Sequence, residues 1–408
     1  MPRVPRRMGC DLMRFTAIVM TAGAVFSWGL PSLTPALAQS SRAQSAQAEI
    51  TTRARQAILM DADSGAILFQ HRADDLMPPA SMSKLMTLAV VFKAIKAGQL
   101  KLEDEMLVTP NAWRRGGAPS GTSAMFIPVN TRERVDALLR GIIVQSGNDA
   151  AIAIAEGMAG SEEAFARLMT EEGRRIGLKA STFRNATGLY HPEHLTTAKD
   201  LAILARHLIR EHPDLYPLFA QRDFQYRKHR FTNRNPILGL GGVDGLKTGF
   251  IKEAGYGIVA SARQDNRRLI LVINGLERAE DRKSEALRLL DLGFKNFGEH
   301  KLFEAGETVG QARVWGGSRF WVPLVGNGDI AVLLPRYPAN PRLKAEILYK
   351  GPLKAPVRKG DRVATLRVTS VTQAVTEVPL FAGEDVERAG MARRGLDSFL
   401  HMAFRWLP

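Results

Sequence analysis

Three short strings, Ser81-Met82-Ser83-Lys84, then Ser146-Gly147-Asn148, then Lys247-Thr248-Gly249, constrain this chain more than any other feature. Together they supply a hydroxyl nucleophile, an amine base three residues away, a second hydroxyl with an amide, and a basic strand edge. That is the equipment for acyl transfer on a carboxylate-bearing substrate. Each string alone is ordinary. A serine three residues before a lysine also describes a helix-capping serine and a surface cation, Ser-Gly-Asn also describes a turn ending a helix, and Lys-Thr-Gly also describes an exposed strand. Their occurrence in this order in one chain is what carries weight.

Local patterning places each string on an element. Apolar runs at Ala57–Met60 and Ala66–Phe69 flank a turn containing Gly65, which predicts a β-hairpin. Pro78-Pro79 then closes an irregular stretch, and Leu85–Ala97 has helical composition, so Ser81 falls at a helix start with Lys84 on the same face. Thr131–Ala159 reads as helical apart from Ser146-Gly147-Asn148, a connection between two helices. Residues 161–177 and 197–211 also read as helices. Strands are expected at Asp244–Thr248, Gly257–Arg263 and Arg268–Ile273, where Gly249 would let a ligand backbone approach. Ser284–Phe297 reads as a last helix. The whole describes an α+β catalytic domain over 55–299.

From 300 to 382 the texture changes to short β-branched and apolar runs at Thr308–Val314, Phe320–Val325, Ile330–Leu334, Lys344–Tyr349 and Val363–Val371, separated by Gly, Pro and Asn. This predicts a small all-β domain. Residues 383–408 read as an amphipathic helix, with Ala392, Leu396, Phe399, Leu400, Ala403 and Leu407 on one face and Arg394, Asp397, Ser398, His401 and Arg405 opposite. Such a helix suits a membrane interface; docking on its own domain or on another subunit is the alternative.

The N-terminus bears on compartment. Arg3, Arg6, Arg7 and Arg14 precede an apolar run, Phe15–Leu30, and Ala36-Leu37-Ala38, which reads as a secretory signal over 1–38 with cleavage after Ala38. An uncleaved anchor is the alternative reading of that run. Residues 39–54, rich in Ser, Ala and Gln, read as a flexible leader. The single cysteine, Cys10, lies inside the segment to be removed. Thiolate nucleophiles, disulfides and cysteine metal sites are thereby excluded from the mature chain. The formal charge of +15, in an exported protein, suits an anionic membrane or wall polymer and not nucleic acid.

Chemistry follows from the residue types. A serine hydroxyl needs a base, and Lys84 can serve if burial or another cation, for which Lys247 is the candidate, lowers its pKa. Ser146 can pass a proton to a leaving amine, and Asn148 can orient Lys84 or the substrate backbone. Lys247 and Thr248 can hold a carboxylate, and the strand edge can pair with an extended peptide. His191 and His194 flank Glu193, but Pro192 and the spacing match no helical zinc motif, so no metal or other cofactor is expected.

The longer segments Pro79–Thr87, Gln145–Ala150 and Val243–Gly249, with Phe183–Leu189 and Ala254-Gly255-Tyr256, resemble the D-alanyl-D-alanine carboxypeptidases, the low-molecular-mass serine penicillin-binding proteins. The resemblance implies a serine β-lactamase/transpeptidase-like catalytic domain, Ser81 as nucleophile, Lys84 as base and Ser146 as proton relay. It also implies an oxyanion hole using the Ser81 N–H, an active-site rim at Gly121–Phe126, and substrate contacts from Asn148, Lys247, Thr248, Gly249 and Arg282. The implied partners are peptidoglycan stem peptides, β-lactam antibiotics as covalent inhibitors, and a membrane surface met by the C-terminal helix on the periplasmic side. Many relatives carry histidine after Lys-Thr-Gly, where this chain has Phe250. A class A β-lactamase would need a Glu-x-x-Leu-Asn segment, and none lies between Ser146 and Lys247. A D,D-endopeptidase and a non-catalytic wall-binding protein are the remaining alternatives.

Overall fold

The computed structural model describes residues 50–336, 343–370 and 375–391. The expected signal segment 1–38, residues 39–49 of the leader, and the tail positions from Ala392 onward lie outside them. The chain divides into two compact units, with the division at Gly298/Glu299.

In the first unit the strands β1 (Gln56–Asp61) and β2 (Ile67–His71) form the expected hairpin. Two short pairs follow in the chain, β3 (Glu105–Leu107) with β4 (Arg132–Arg134), and β5 (Asp223–Tyr226) with β6 (His229–Thr232). Then come β7 (Val243–Ile251), β8 (Gly255–Gln264) and β9 (Arg267–Leu276). The antiparallel order β2-β1-β9-β8-β7 leaves β7 at the edge of the sheet. All three late strands run longer than the sequence pattern indicates, because antiparallel pairing continues past the apolar stretches into polar ends such as Gln264↔Arg267.

The helices are α1 (Lys84–Lys96), α2 (Pro110–Gly116), α3 (Val135–Arg140), α4 (Asn148–Ala159), α5 (Glu162–Ile176), α6 (Ala198–Glu211) and α7 (Ala279–Asn296). Helix α1 is buried on every face from Lys84 to Phe92, with Leu85, Met86, Leu88, Ala89, Val91 and Phe92 at 0% exposure. A helix that is mostly apolar on every face belongs at the centre of a domain, and each large apolar side chain so buried contributes about 1.5–3 kcal/mol. It stops at Ala97, followed by Gly98 at φ +69°. Polar N-caps begin α2, α5 and α6, where Thr109, Ser161 and Thr197 each accept a backbone N–H. Helix α7 begins five residues before the apolar pattern does, in the charged run Ala279–Lys283.

Two expectations at the edges of this unit change. Residues 51–54 are not a free leader: Thr52 Oγ1 donates to Glu285 Oε1 at 2.7 Å and Arg53 pairs with Asp281 at 2.7 Å, fixing the chain on α7. The helix expected from Thr131 begins only at Val135, because 132–134 are held as β4.

The second unit is β-rich, as expected. Strands at Thr308–Trp315 and Trp321–Val325 pair, as do Leu343–Leu348 and Arg362–Ser370. Val375–Ala382 adds to Trp321–Val325 through Leu324↔Ala382. Ala312, Val314, Val322, Leu324, Leu366, Val368 and Leu380 form its core. The helix expected from 383 does not start there, since Val386 and Arg388 form bridges with Val357 and Gly317. No helix among the described residues is long and apolar enough to cross a membrane.

Candidate active site

Ser81 sits in a tight 3-10 turn, Ala80–Ser83, that leads directly into α1 at Lys84. The sequence pattern places both residues on one regular helix. In the observed turn, residues three apart eclipse one another more closely than on an α-helix. Ala80 holds a left-handed φ of +49°, a conformation unusual for a residue with a Cβ.

Three glycines make room for this turn. A Cβ on Gly249 would lie 3.0 Å from Pro79 O and 3.1 Å from Ala80 Cβ, and one on Gly257 would lie 2.7 Å from Met82 Cε. A Cβ on Gly188, whose φ is +79°, would lie 1.8 Å from Ala80 O. Gly249 therefore lets β7 close on the nucleophile turn.

Lys84 is wholly buried. Its Nζ donates to Ser81 Oγ at 3.1 Å, to Asn148 Oδ1 at 2.6 Å and to Thr187 O at 2.6 Å. Burial is the main cause that brings its pKa down from 10.5 to about 7; Glu162 and Asp149 oppose the fall and Arg234 assists it. A lysine poised there is a base at neutral pH. The sequence points to Lys247 as the cationic neighbour; the two lysines do disfavour one another's charge, and Arg234 is a further cation that lowers the pKa of Lys84.

Asn148 opens α4. Its Nδ2 donates to Thr122 Oγ1 at 2.8 Å and its backbone N–H to Ser123 O at 2.8 Å, tying the rim at Gly121–Phe126 to the lysine. Asp149 fixes the same rim from beneath, accepting from Met125 N at 2.8 Å and Ile127 N at 3.1 Å. Ser146, at the end of a π-turn over Gly141–Gln145, takes a left-handed φ of +64°. Its Oγ is buried with no protein hydrogen-bond partner among the described residues. A free buried hydroxyl suits a proton relay that needs a reacting group to complete it.

Lys247 and Thr248 lie on the edge strand, both buried. Lys247 Nζ donates to Thr248 O at 3.2 Å, and burial, then Lys84, Arg234 and Arg282, lower its pKa well below the usual lysine value. Arg282, in the first turn of α7, faces the ring of Tyr256 at 5.7 Å, and its Nε is buried without a partner among the described residues. Tyr256 is stacked on Phe250 at 4.2 Å across β7 and β8, leaving Phe250 51% exposed. The fields of Lys84, Arg234 and Arg282 thus converge on Lys247. An anionic group is what such a cluster would accept.

The sequence pattern does not mark Arg234, which stands between Asn233 and Asn235 in a loop before β7. Nor does it mark Thr187, whose contribution is a carbonyl. Asn185 Oδ1 accepts from the N–H groups of Thr187 and Gly188 at 3.2 and 2.7 Å, shaping that loop. His194 is buried with both ring nitrogens engaged, Nδ1 by Arg184 N–H at 3.3 Å and Nε2 by Ser83 Oγ at 2.7 Å. Burial holds its pKa down near 3, so it is neutral, with Nε2 carrying the proton.

The family model for D-alanyl-D-alanine carboxypeptidase matches residues 41–277, and that for the penicillin-binding protein 5 C-terminal domain matches 297–388. D-alanyl-D-alanine carboxypeptidase DacC of Escherichia coli K12 is 37% identical over 357 residues, 86% of this chain and 89% of that protein. Penicillin-binding protein 5 from Haemophilus influenzae superposes with a TM-score of 0.70 at 34% identity, covering 83% of this chain and 99% of that one. Penicillin-binding protein D2 from Listeria monocytogenes, solved in an ampicillin-bound form, does so with a TM-score of 0.53 at 28% identity, covering 59% and 98%.

Proposed function

Given that the chain belongs to the D-alanyl-D-alanine carboxypeptidases, we propose that it removes the terminal D-Ala of peptidoglycan pentapeptide stems through an acyl-enzyme on Ser81. The observation that carries this reading is the approach of Lys84 Nζ to Ser81 Oγ at 3.1 Å in a fully buried setting. Neutral Lys84 takes the hydroxyl proton as Oγ attacks the D-Ala-D-Ala carbonyl carbon. The Ser81 N–H, which the turn presents beside the nucleophile, supports the oxyanion.

Collapse of the tetrahedral intermediate breaks the C–N bond. Ser146 Oγ passes a proton, ultimately from Lys84, to the departing amine, and D-Ala leaves. Water then attacks the ester carbonyl, its proton going to Lys84 and from there to Ser81 Oγ as the acyl C–Oγ bond breaks, which releases the tetrapeptide acid and restores Ser81. The terminal carboxylate is held by Lys247, Thr248, Arg234 and Arg282, and its arrival favours the ammonium form of Lys247 that burial disfavours. The peptide pairs with the free edge of β7.

Penicillins acylate Ser81 as substrate mimics, a reading supported by the ampicillin-bound form of the Listeria protein. Export to the periplasm and a membrane-surface role for the C-terminal segment are part of the same proposal and rest on sequence pattern. Endopeptidase action on cross-links is the second reading. The D-alanyl-D-alanine endopeptidase of Pseudomonas aeruginosa covers only 50% of this chain, at 29% identity, which favours the carboxypeptidase. Mass spectrometry of peptidoglycan digested with wild-type and Ser81→Ala protein tests both. Loss of pentapeptide trimming in the variant is expected, and normal trimming would overturn the assignment.

A further inference from the structure

One ion pair near Lys84, linked to it through the Ala186-Thr187 backbone, is not used by the reaction itself. Glu162, at the start of α5, is 3% exposed, whereas the side chain of Arg115, near the end of α2, is 47% exposed. Arg115 Nη1 donates to Glu162 Oε2 at 2.8 Å, and Ala186 N–H donates to Glu162 Oε1 at 3.1 Å. The next residue, Thr187, offers the carbonyl that Lys84 Nζ reaches at 2.6 Å. Gly116 fixes where Arg115 stands: a Cβ there would lie 2.4 Å from Asp149 N, so α2 is pressed against the start of α4.

We propose that Glu162 and Arg115 are positioning residues that set the proton affinity of Lys84, Glu162 raising it and Arg115 moderating that effect. The pair is an oriented dipole. Both groups line a cavity of about 430 Å³, but the pair's anionic end is buried while its cationic end is half exposed, where solvent screens it. Removing water from around Glu162 strengthens its field at Lys84, while the same burial disfavours Glu162's own ionisation. Two buried groups that each resist charge stabilise one another's charged forms.

Other charges face these groups. Arg234, Asp149, Lys247 and His194 interact with Lys84, and Glu163 and Glu156 with Glu162. Of the acids acting on Lys84, Glu162 exerts the larger effect, ahead of Asp149. Asp149 is engaged by the backbone of the rim, so its replacement would disturb the site's shape as well as its charge. Glu162 and Arg115 can be changed more selectively.

The inference rests on Lys84 being the base, but its test reads the lysine directly. In the full chain carrying 13C-lysine, the Lys84 ε-carbon resonance, assigned by its loss in Lys84→Arg, is titrated by NMR beside the pH profile of penicillin acylation. In Glu162→Gln the Lys84 midpoint is expected to fall by about half to one pH unit, and in Arg115→Gln to rise by a similar amount. Arg115→Lys should restore the wild-type midpoint. An unmoved or raised midpoint in a folded Glu162→Gln protein overturns the proposal, as does a shift of Arg115→Gln in the same direction. If the NMR midpoints move as expected while the acylation profiles do not, the tuning pair stands and Lys84 loses its assignment as the base.

Discussion

Asn148 holds Lys84 with one end of its amide and the active-site rim with the other: Oδ1 accepts from Lys84 Nζ at 2.6 Å and Nδ2 donates to Thr122 Oγ1 at 2.8 Å. The geometry requires a carboxamide. An acid would lose the donor to Thr122 and add a charge favouring the ammonium form of Lys84, and an alanine would leave a buried amine short of one acceptor. For Asn148→Ala we expect penicillin acylation of Ser81 to slow by about 10²-fold or more. Stopped-flow acylation measures it; a slowing of less than about threefold would show that Asn148 is not needed to aim the lysine.

Burial of Lys84 ties stability to pH. Its pKa is about 7 when folded, against 10.5 for the ordinary lysine, so between these values the unfolded chain binds more protons. Stability therefore rises with pH through that window, by at most about 1.4 kcal/mol per pH unit from this group. Below pH 7 the destabilisation is present in full, and above pH 10.5 it is gone. Chemical denaturation of wild type and Lys84→Met at about pH 7, 8.5 and 10 should show wild type gaining on the variant as pH rises. Parallel curves would contradict the buried-base reading, and the pH profile of acylation should show its acidic limb near pH 7.

Gly188 makes the tightest approach around the nucleophile. A Cβ there would meet Ala80 O at 1.8 Å, and φ is +79° besides. Gly188→Ala has to move either the Ser81 turn or the loop that supplies Thr187 O. We expect a loss of about 2–4 kcal/mol in stability together with slowed acylation. Urea unfolding and penicillin labelling check both, and a variant as stable as wild type would show that the close approach is not required.

Arg234 and Arg282 are expected to act on binding more than on chemistry. Replacing either with alanine should raise KM for a D-Ala-D-Ala peptide by about tenfold or more, with a smaller change in kcat, since a charge pairing present both in the bound substrate and in the transition state is a uniform binding effect. An amidated peptide, lacking the terminal carboxylate, should be insensitive to the Arg282 change and should feel the Arg234 change only through the pH profile set by Lys84. Equal losses on free-acid and amide substrates would remove these arginines from the carboxylate site.

Phe250 tests how Arg282 is supported. The stack of Phe250 on Tyr256, with Arg282 against the same tyrosine, makes an aromatic platform at the end of β7. For Phe250→Ala, which removes a half-exposed ring, we expect less than about 1.5 kcal/mol of destabilisation and a several-fold rise in KM. Thermal melts and steady-state kinetics measure the two effects. An unchanged KM would assign the platform to packing alone.

Much of this arrangement is legible in the sequence because it is written locally. The Ser81–Lys84 spacing, the hairpin about Gly65, the capped helices α5 and α6, and the strand carrying Lys247 each follow from residues within a few positions of one another. The second unit's strands are likewise visible as short β-branched runs, although their ends are set by partners. Gly249 is legible as a close approach, but what approaches it is not, because the neighbouring turn lies far away in sequence.

What the sequence determined by itself is the set of chemical parts and the family to which they belong. What only the tertiary structure decided is the state of those parts. Whether Lys84 is a base depends on water being excluded from it by α1, α4 and the Thr187 loop. The same holds for the identity of its neighbouring charges, Arg234 and Glu162, and for the free hydroxyl of Ser146. Solvation and electrostatic fields depend on everything within several ångströms, and the residues that supply them here are brought together from distant positions in the chain.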